Sequence, residues 1–460
     1  MKLLSHLTAG IAAALISLPA GAAGEAKNVI FFLGDGMGPT TITAARIYKY
    51  GEAGRLNMET LPRTARIRTN SLDAQTTDSA PSMSAYMTGV KMKNEVLAMS
   101  GDTNAYDAGN SPYVKGADST CPPSNGTAVT TLLEMAKAKG KATGAVTTTR
   151  ITHATPAATY SHICHRDGEN DIAAQVSPGN AKFNSALGNG VDVLLGGGLR
   201  HFIPATLSGG RRTDGVDLTA SMASAGYTVV KTGAALNSIN IAATGKLLGL
   251  FNLDHVNYEL DRIKQNIDEP SLATMTEKAI QILSKNASGY FLMVEGGRID
   301  HALHGTDARR ALEDTIAFDD AIKKALAMVD LSNTLIVVTA DHDHTMTFNG
   351  YPSRGNPILG LTDNIKTKKL QMAADGKPFT TLVFGNGGGP RKSARDDLTT
   401  VDTASDTYRQ EVAVPMGSLG SETHGGGDVM LFSGGAGSGI FKGTMDNTKV
   451  FSLVKTSAGL

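Results

Sequence analysis

The chain has 460 residues, with 43 Lys+Arg balanced by 43 Asp+Glu, no Trp and two cysteines. That length accommodates one large α/β domain with insertions, or two to three average domains. The charge balance excludes a basic field for nucleic acid and an acidic tail, so any anion handled here must be gripped by a local site.

In chain order, residues 1–22 read as a secretory leader: Lys2, an apolar stretch from Leu7 to Leu18, then Ala20-Gly21-Ala22. The apolar part is too short for a membrane span, so an exported chain without a membrane span is expected, periplasmic or extracellular after cleavage near Ala22 or Ala23. An oxidising compartment favours one Cys121–Cys164 disulfide, with two buried thiols as the alternative. The apolar run Asn28–Leu33 predicts a strand that delivers Asp35 within Gly34-Asp35-Gly36-Met37-Gly38. A helix is predicted over Thr127–Lys139 and a strand over Lys141–Val146. Residues 200–270 show weak periodicity and read as an excursion. Leu272–Lys285 predicts a helix feeding a strand at Tyr290–Val294, which delivers Glu295 and, beyond it, Asp300, His301 and His304. Ala308–Val329 predicts a helix, and Leu335–Ala340 a strand that delivers Asp341-His342-Asp343-His344. Residues 350–420, rich in Gly, Pro, Ser, Thr and Asp, carry their own apolar residues and a strand-like Phe379–Phe384, which argues for an inserted lobe beside the cleft. The alternation implies an α/β fold with a large, mostly parallel sheet covered by helices on both faces. Ligands of such sheets sit beyond the carboxyl ends of the strands. Carboxylates and imidazoles gathered there need a cation, and the imidazoles favour zinc or another transition metal.

Each chemical motif has an ordinary structural reading when taken alone. Thr77-Asp78-Ser79-Ala80-Pro81 reads as a helix start, capped by Asp78 or Ser79; the functional reading makes Ser79 a nucleophile favoured by the helix dipole and a neighbouring metal. Asp300 and His304 lie one helical turn apart, which suits a metal pair or a surface ion pair. Arg166, after the Thr- and His-rich stretch from Thr147, offers a planar fork for two phosphate oxygens or is a plain surface arginine.

Taken together, from Gly34-Asp35-Gly36-Met37-Gly38 to His424-Gly425, these segments resemble the alkaline phosphatases, closest to their vertebrate-like branch. The most specific are Thr77-Asp78-Ser79-Ala80, Val294-Glu295-Gly296-Gly297-Arg298-Ile299-Asp300-His301 and Thr339-Ala340-Asp341-His342-Asp343-His344. The resemblance implies hydrolysis of phosphate monoesters through a phosphoserine on Ser79, with broad tolerance of the alcohol. It implies two zinc ions, one held by Asp300, His304 and His424 and the other by Asp35, Asp341 and His342. It further implies one magnesium ion at Asp35, Thr155 and Glu295, with Arg166 as the phosphate clamp. His153 and His301 stand in outer positions where other members carry Asp or Lys; histidines there would loosen an octahedral site or admit zinc. The resemblance also implies a homodimer, with the 350–420 lobe forming a crown at its interface. Competing expectations are a diesterase or sulfatase on the same scaffold, and a phosphate- or metal-scavenging protein. Met83 stands where a sulfatase loop wants a basic residue, Arg166 suits a dianionic monoester, and a scavenger would not need the Ser79 hydroxyl.

Overall fold

The computed structural model describes residues 26–388 and 394–460, so the expected leader lies outside the described residues. Ten strands form one sheet in the order Gly443–Asp446, Arg63–Arg68, Val429–Gly435, Thr334–Thr339, Asn28–Gly34, Tyr290–Gly296, Ala142–Arg150, Val193–Gly197, Lys246–Leu250 and Tyr227–Val230. Its centre is parallel: Asn28–Gly34 pairs with Thr334–Thr339 on one side and Tyr290–Gly296 on the other. Only Val429–Gly435 runs against its neighbours. Among the described residues no helix is long and apolar enough to cross a membrane.

The unbroken apolar runs follow from double-sided burial. Successive side chains of a strand point to opposite faces. Phe31 meets Tyr86 of the helix Ser79–Thr88 (ring centroids 5.6 Å apart), and Phe32 meets Phe318 of the helix Ala308–Met328 (5.9 Å). Helices therefore cover both faces, and every residue from Val29 to Gly34 is buried.

Three expectations shift. The helix predicted from Thr127 starts at Leu132, because Thr131 and Glu134 form a reciprocal capping box that fixes the first turn. The strand predicted at Phe379–Phe384 lies at Leu382–Gly387, in a three-stranded sheet with Met346–Phe348 and Val412–Pro415. The stretch 200–270 is not an excursion. It supplies two strands at the sheet edge, Tyr227–Val230 and Lys246–Leu250. Its helices Leu218–Ser224 and Gly233–Ser238 are too short to show a helical period. Cys121 and Cys164 form a disulfide that closes a 43-residue separation, a constraint on the order of 4 kcal/mol by chain entropy.

Candidate active site

Three parallel strands end side by side, and each hands a carboxylate to the same edge. Asp35 follows Asn28–Gly34, Glu295 lies within Tyr290–Gly296, and Asp341 follows Thr334–Thr339. All three are fully buried. Burial first, then the charges of Asp341, Asp300 and Glu295, push the Asp35 carboxyl well above its usual range. Burial also raises Glu295 to about 7, against the hydrogen bonds it accepts from Thr147 and Thr149. Asp341 rises for the same first reason, with Asp300 adding to it.

Ser79 begins its helix beside this group, and Asp78 provides the cap by accepting from Ala80 N at 3.1 Å. Ser79 Oγ lies 3.3 Å from Asp35 Oδ1 and 3.2 Å from His342 Nε2. Burial, then His424, holds the His342 ring neutral, well below its usual pKa. Its Nδ1–H donates to the Asp343 carbonyl (3.1 Å), which leaves the Nε2 lone pair facing Ser79, Asp35 and Asp341. Thr155 Oγ1 donates to Asp35 Oδ2 at 3.4 Å, so the two oxygens of Asp35 face different neighbours.

The second group comes from the helix Arg298–His304 and from the short strand His424–Gly425. His304 Nδ1–H donates to the Glu422 carbonyl (2.6 Å), and His424 Nδ1–H to the Thr77 carbonyl (2.8 Å). Each ring then points a bare Nε2 inward, and these two nitrogens stand 3.1 Å apart with Asp300 Oδ1 at 3.3 and 3.5 Å. Two facing lone pairs beside a carboxylate repel until a cation sits among them. Burial works against the Asp300 charge, but positive charge among the imidazoles of His304, His344 and His424 outweighs it and holds its pKa well below the ordinary value, the part a cation would play when those of His304 and His424 are bare.

These donors fit metal ions on their own chemistry. Asp341 Oδ2 and Glu295 Oε1 are buried without a hydrogen-bond partner. Among the described residues, Asp300, His304, His344 and His424 converge in one ligand group, Asp35, Asp341 and His342 in another, Asp35, Glu295 and His153 in a third, and His153, His255 and His301 in a fourth. Nitrogen with oxygen donors suits zinc, and oxygen alone suits magnesium.

The sequence profile of the alkaline phosphatase family matches residues 26–460. The chain belongs to the alkaline phosphatase family. Its reaction is the hydrolysis of phosphate monoesters, and it uses metal ions. It is similar to the tissue-nonspecific alkaline phosphatase of Mus musculus, 39% identical over 441 residues covering 89% of this chain and 79% of that protein. The Homo sapiens counterpart is 38% identical over 454 residues, covering 92% and 82%. The crystal structure of the Thermus thermophilus alkaline phosphatase superposes with a TM-score of 0.68 at 28% identity, covering 98% of this chain and 96% of that one.

Within this alkaline phosphatase fold, Arg166 reaches the site through Asp78, with which it forms an ion pair. Burial opposes its charge, but Asp78, Glu95, Asp167 and Asp35 outweigh that and raise its pKa. Its loop is tied down by the Cys121–Cys164 disulfide and by Arg166 N donating to the Glu95 carbonyl at 2.8 Å. His153 and His301 lie with a third histidine, His255, that the sequence reading did not single out; the rings pack 4.3–5.5 Å apart. Their backing differs from that of the inward-facing rings. Arg166 Nη2 donates to His153 Nε2 (3.0 Å) and Arg298 Nη1 to His301 Nδ1 (2.9 Å). Burial keeps both rings neutral, His153 well below its usual pKa and His301 at about 3. An imidazole that accepts through one nitrogen carries its proton on the other, so these two present N–H groups rather than lone pairs.

The sequence reading also missed His344 and Glu422. His344 Nε2 donates to Asp300 Oδ1 (2.7 Å) and its Nδ1 to Glu422 Oε2 (2.6 Å). Although burial opposes its charge, the two carboxylates raise this imidazole to about 10, so both nitrogens are donors and the ring is not a ligand in this state. The only signal in the chain was the histidine in Asp341-His342-Asp343-His344; its partner lies 78 residues away.

Proposed function

We propose that the enzyme transfers the phosphoryl group to Ser79 and then to water. The observation that carries this is the Ser79 hydroxyl, 2% exposed, at a helix N-terminus between Asp35 and His342. In the first step Ser79 Oγ forms a bond to phosphorus while the bond to the alcohol oxygen breaks, and the alcohol leaves with a proton. In the second step water attacks the phosphoserine, releasing inorganic phosphate and restoring the hydroxyl. Two zinc ions, at Asp300–His304–His424 and at Asp35–Asp341–His342, and one magnesium at Asp35–Thr155–Glu295 supply, when bound, the positive charge that ionises hydroxyl and water and offsets the phosphoryl charge. Arg166 holds the non-transferred oxygens, which carry much of the charge in a loose transition state. Nothing in this cast grips the alcohol, so tolerance of the leaving group is broad. His153 lies within ligand reach of Asp35 and Glu295, so this third position would take magnesium with the imidazole outside the ion's ligands, or zinc with the imidazole among them. Family likeness further supports a homodimer with the 350–420 lobe as an insertion at its interface, and export to the periplasm or outside the cell.

Initial rates on an aryl monophosphate, the matching diester and the sulfate test the reading; the monoester is expected to be fastest, and a faster diester or sulfate overturns it. Arg166→Ala is expected to lower kcat/KM for the monoester by about 10- to 100-fold, the range for losing a charge-assisted contact. Inorganic phosphate inhibition should weaken in parallel, and unchanged inhibition would remove Arg166 from the clamp.

A further inference from the structure

We propose that Glu422 is a positioning residue for the Asp300–His304–His424 cluster, setting how tightly that cluster alone keeps its metal. This rests on reading the cluster as a metal centre. Glu422 is 1% exposed. Its backbone brackets His304: Glu422 N donates to the His304 carbonyl (2.9 Å), and the Glu422 carbonyl accepts from His304 Nδ1 (2.6 Å). The second contact fixes which ring nitrogen faces inward. Its carboxylate is divided between two tasks. Oε1 accepts from Thr345 N at 2.7 Å and from Thr345 Oγ1 at 2.5 Å. Oε2 accepts from His344 Nδ1 at 2.6 Å, and His344 in turn donates to Asp300 Oδ1 at 2.7 Å. His424 lies two residues further along, on the short strand His424–Gly425 that pairs with Asp343–His344. One side chain and its peptide groups thus orient three ligands carried on two distant segments, the helix Arg298–His304 and the strand His424–Gly425.

The need for such an anchor is visible locally. The helix carrying Asp300 and His304 is seven residues long and ends at His304, where intrahelical bonds run out. Thr306 follows with a positive φ of 50°, and the His304 side chain is 30% exposed. Groups that orient metal ligands typically change metal affinity by 10- to 100-fold when removed. The Asp35–Asp341–His342 group has none of these contacts with Glu422; its ring is set by the Asp343 carbonyl and its Asp341 by Gly36 N and His342 N, each at 3.0 Å.

The test is zinc release from the holoenzyme into a chromogenic chelator, followed in time for wild type, Glu422→Ala, Glu422→Gln and Thr345→Val. Wild type should release its zinc in two equivalents. Glu422→Ala should release one equivalent at least about tenfold faster and leave the other at the wild-type rate. Its kcat should recover when free zinc is added. Glu422→Gln, which still accepts from Thr345, and Thr345→Val should shift the same equivalent by less, which keeps the test open if the alanine variant misfolds. Wild-type release from all variants, or equal acceleration of both equivalents, overturns the proposal. A wild-type protein that holds no zinc overturns the metal-centre reading itself, and is recognised by the wild-type control alone.

Discussion

Ser79→Ala is expected to lower kcat by at least about 10³-fold and to abolish covalent labelling, while metal content stays at the wild-type level. The separation of these outcomes follows from who does what at the helix start. Asp78, not Ser79, caps the helix, so the substitution leaves the cap bond to Ala80 N in place. Asp35 and His342 lose only a neighbour at 3.3 and 3.2 Å, and the groups that orient the site remain: Gly36 N on Asp341, and the Asp343 carbonyl behind His342. The loss is therefore of the attacking atom and not of the site. Direct attack by water persists at a low rate, because the cationic clamp at Arg166 still holds the phosphoryl oxygens. Trapping with radiolabelled phosphate at acidic pH, followed by metal analysis of the same sample, reads both outcomes. A label surviving on the alanine variant would falsify the assignment of the nucleophile.

The parts of this site that were legible in the chain share one property: each sits at the end of a buried element that leaves its own signal. Asp35, Glu295 and Asp341 each end or follow an apolar run, and parallel sheets with both faces covered write such runs without alternation. Their convergence followed from the rule that ligands gather beyond strand ends. Residues whose role is set by a distant partner left no local trace. His344 reads as a repeat of His342, yet one ring backs onto a carbonyl and the other lies between two carboxylates. His255 comes from a segment of weak periodicity and meets His153 and His301 only in the fold. The edge strands Tyr227–Val230 and Lys246–Leu250 were lost for a related reason, since four or five residues between six- and seven-residue helices are too few to set a period. The helix starts at Leu132 and not at Thr127 because the Thr131–Glu134 capping box, which fixes the first turn, lies inside the stretch that reads as helical.

The metal-free protein is expected to lose stability as pH rises from about 6.5 to 9, and bound ions should suppress that loss. The sign follows from proton uptake. His344 is raised from 6.5 to about 10 because Asp300 and Glu422 outweigh the burial that opposes its charge. Between those values the folded chain keeps a proton that the unfolded chain has released, so stability is full below 6.5 and falls as pH climbs toward 10. By pH 9 this one group forfeits about 3 kcal/mol, or roughly 3 °C in Tm for a chain of this size. Asp35, Asp341 and Glu295 act in the same direction, since each keeps a proton above its unfolded pKa until its raised folded pKa is passed. Below pH 6.5 the buried neutral histidines His153, His301, His304 and His342 pull the other way, because unfolding lets them take up protons. The maximum for the metal-free chain should therefore fall near pH 6.5. Cations at the three groups replace those protons as the partners of the carboxylates, and metal binding strengthens as the protons leave. Thermal melts with chelator and with zinc plus magnesium, at pH 6.5 and pH 9, measure the difference. The gap in Tm should widen with pH, and a gap that stays constant would mean that the buried carboxylates and His344 are not neutralising one another in the metal-free fold.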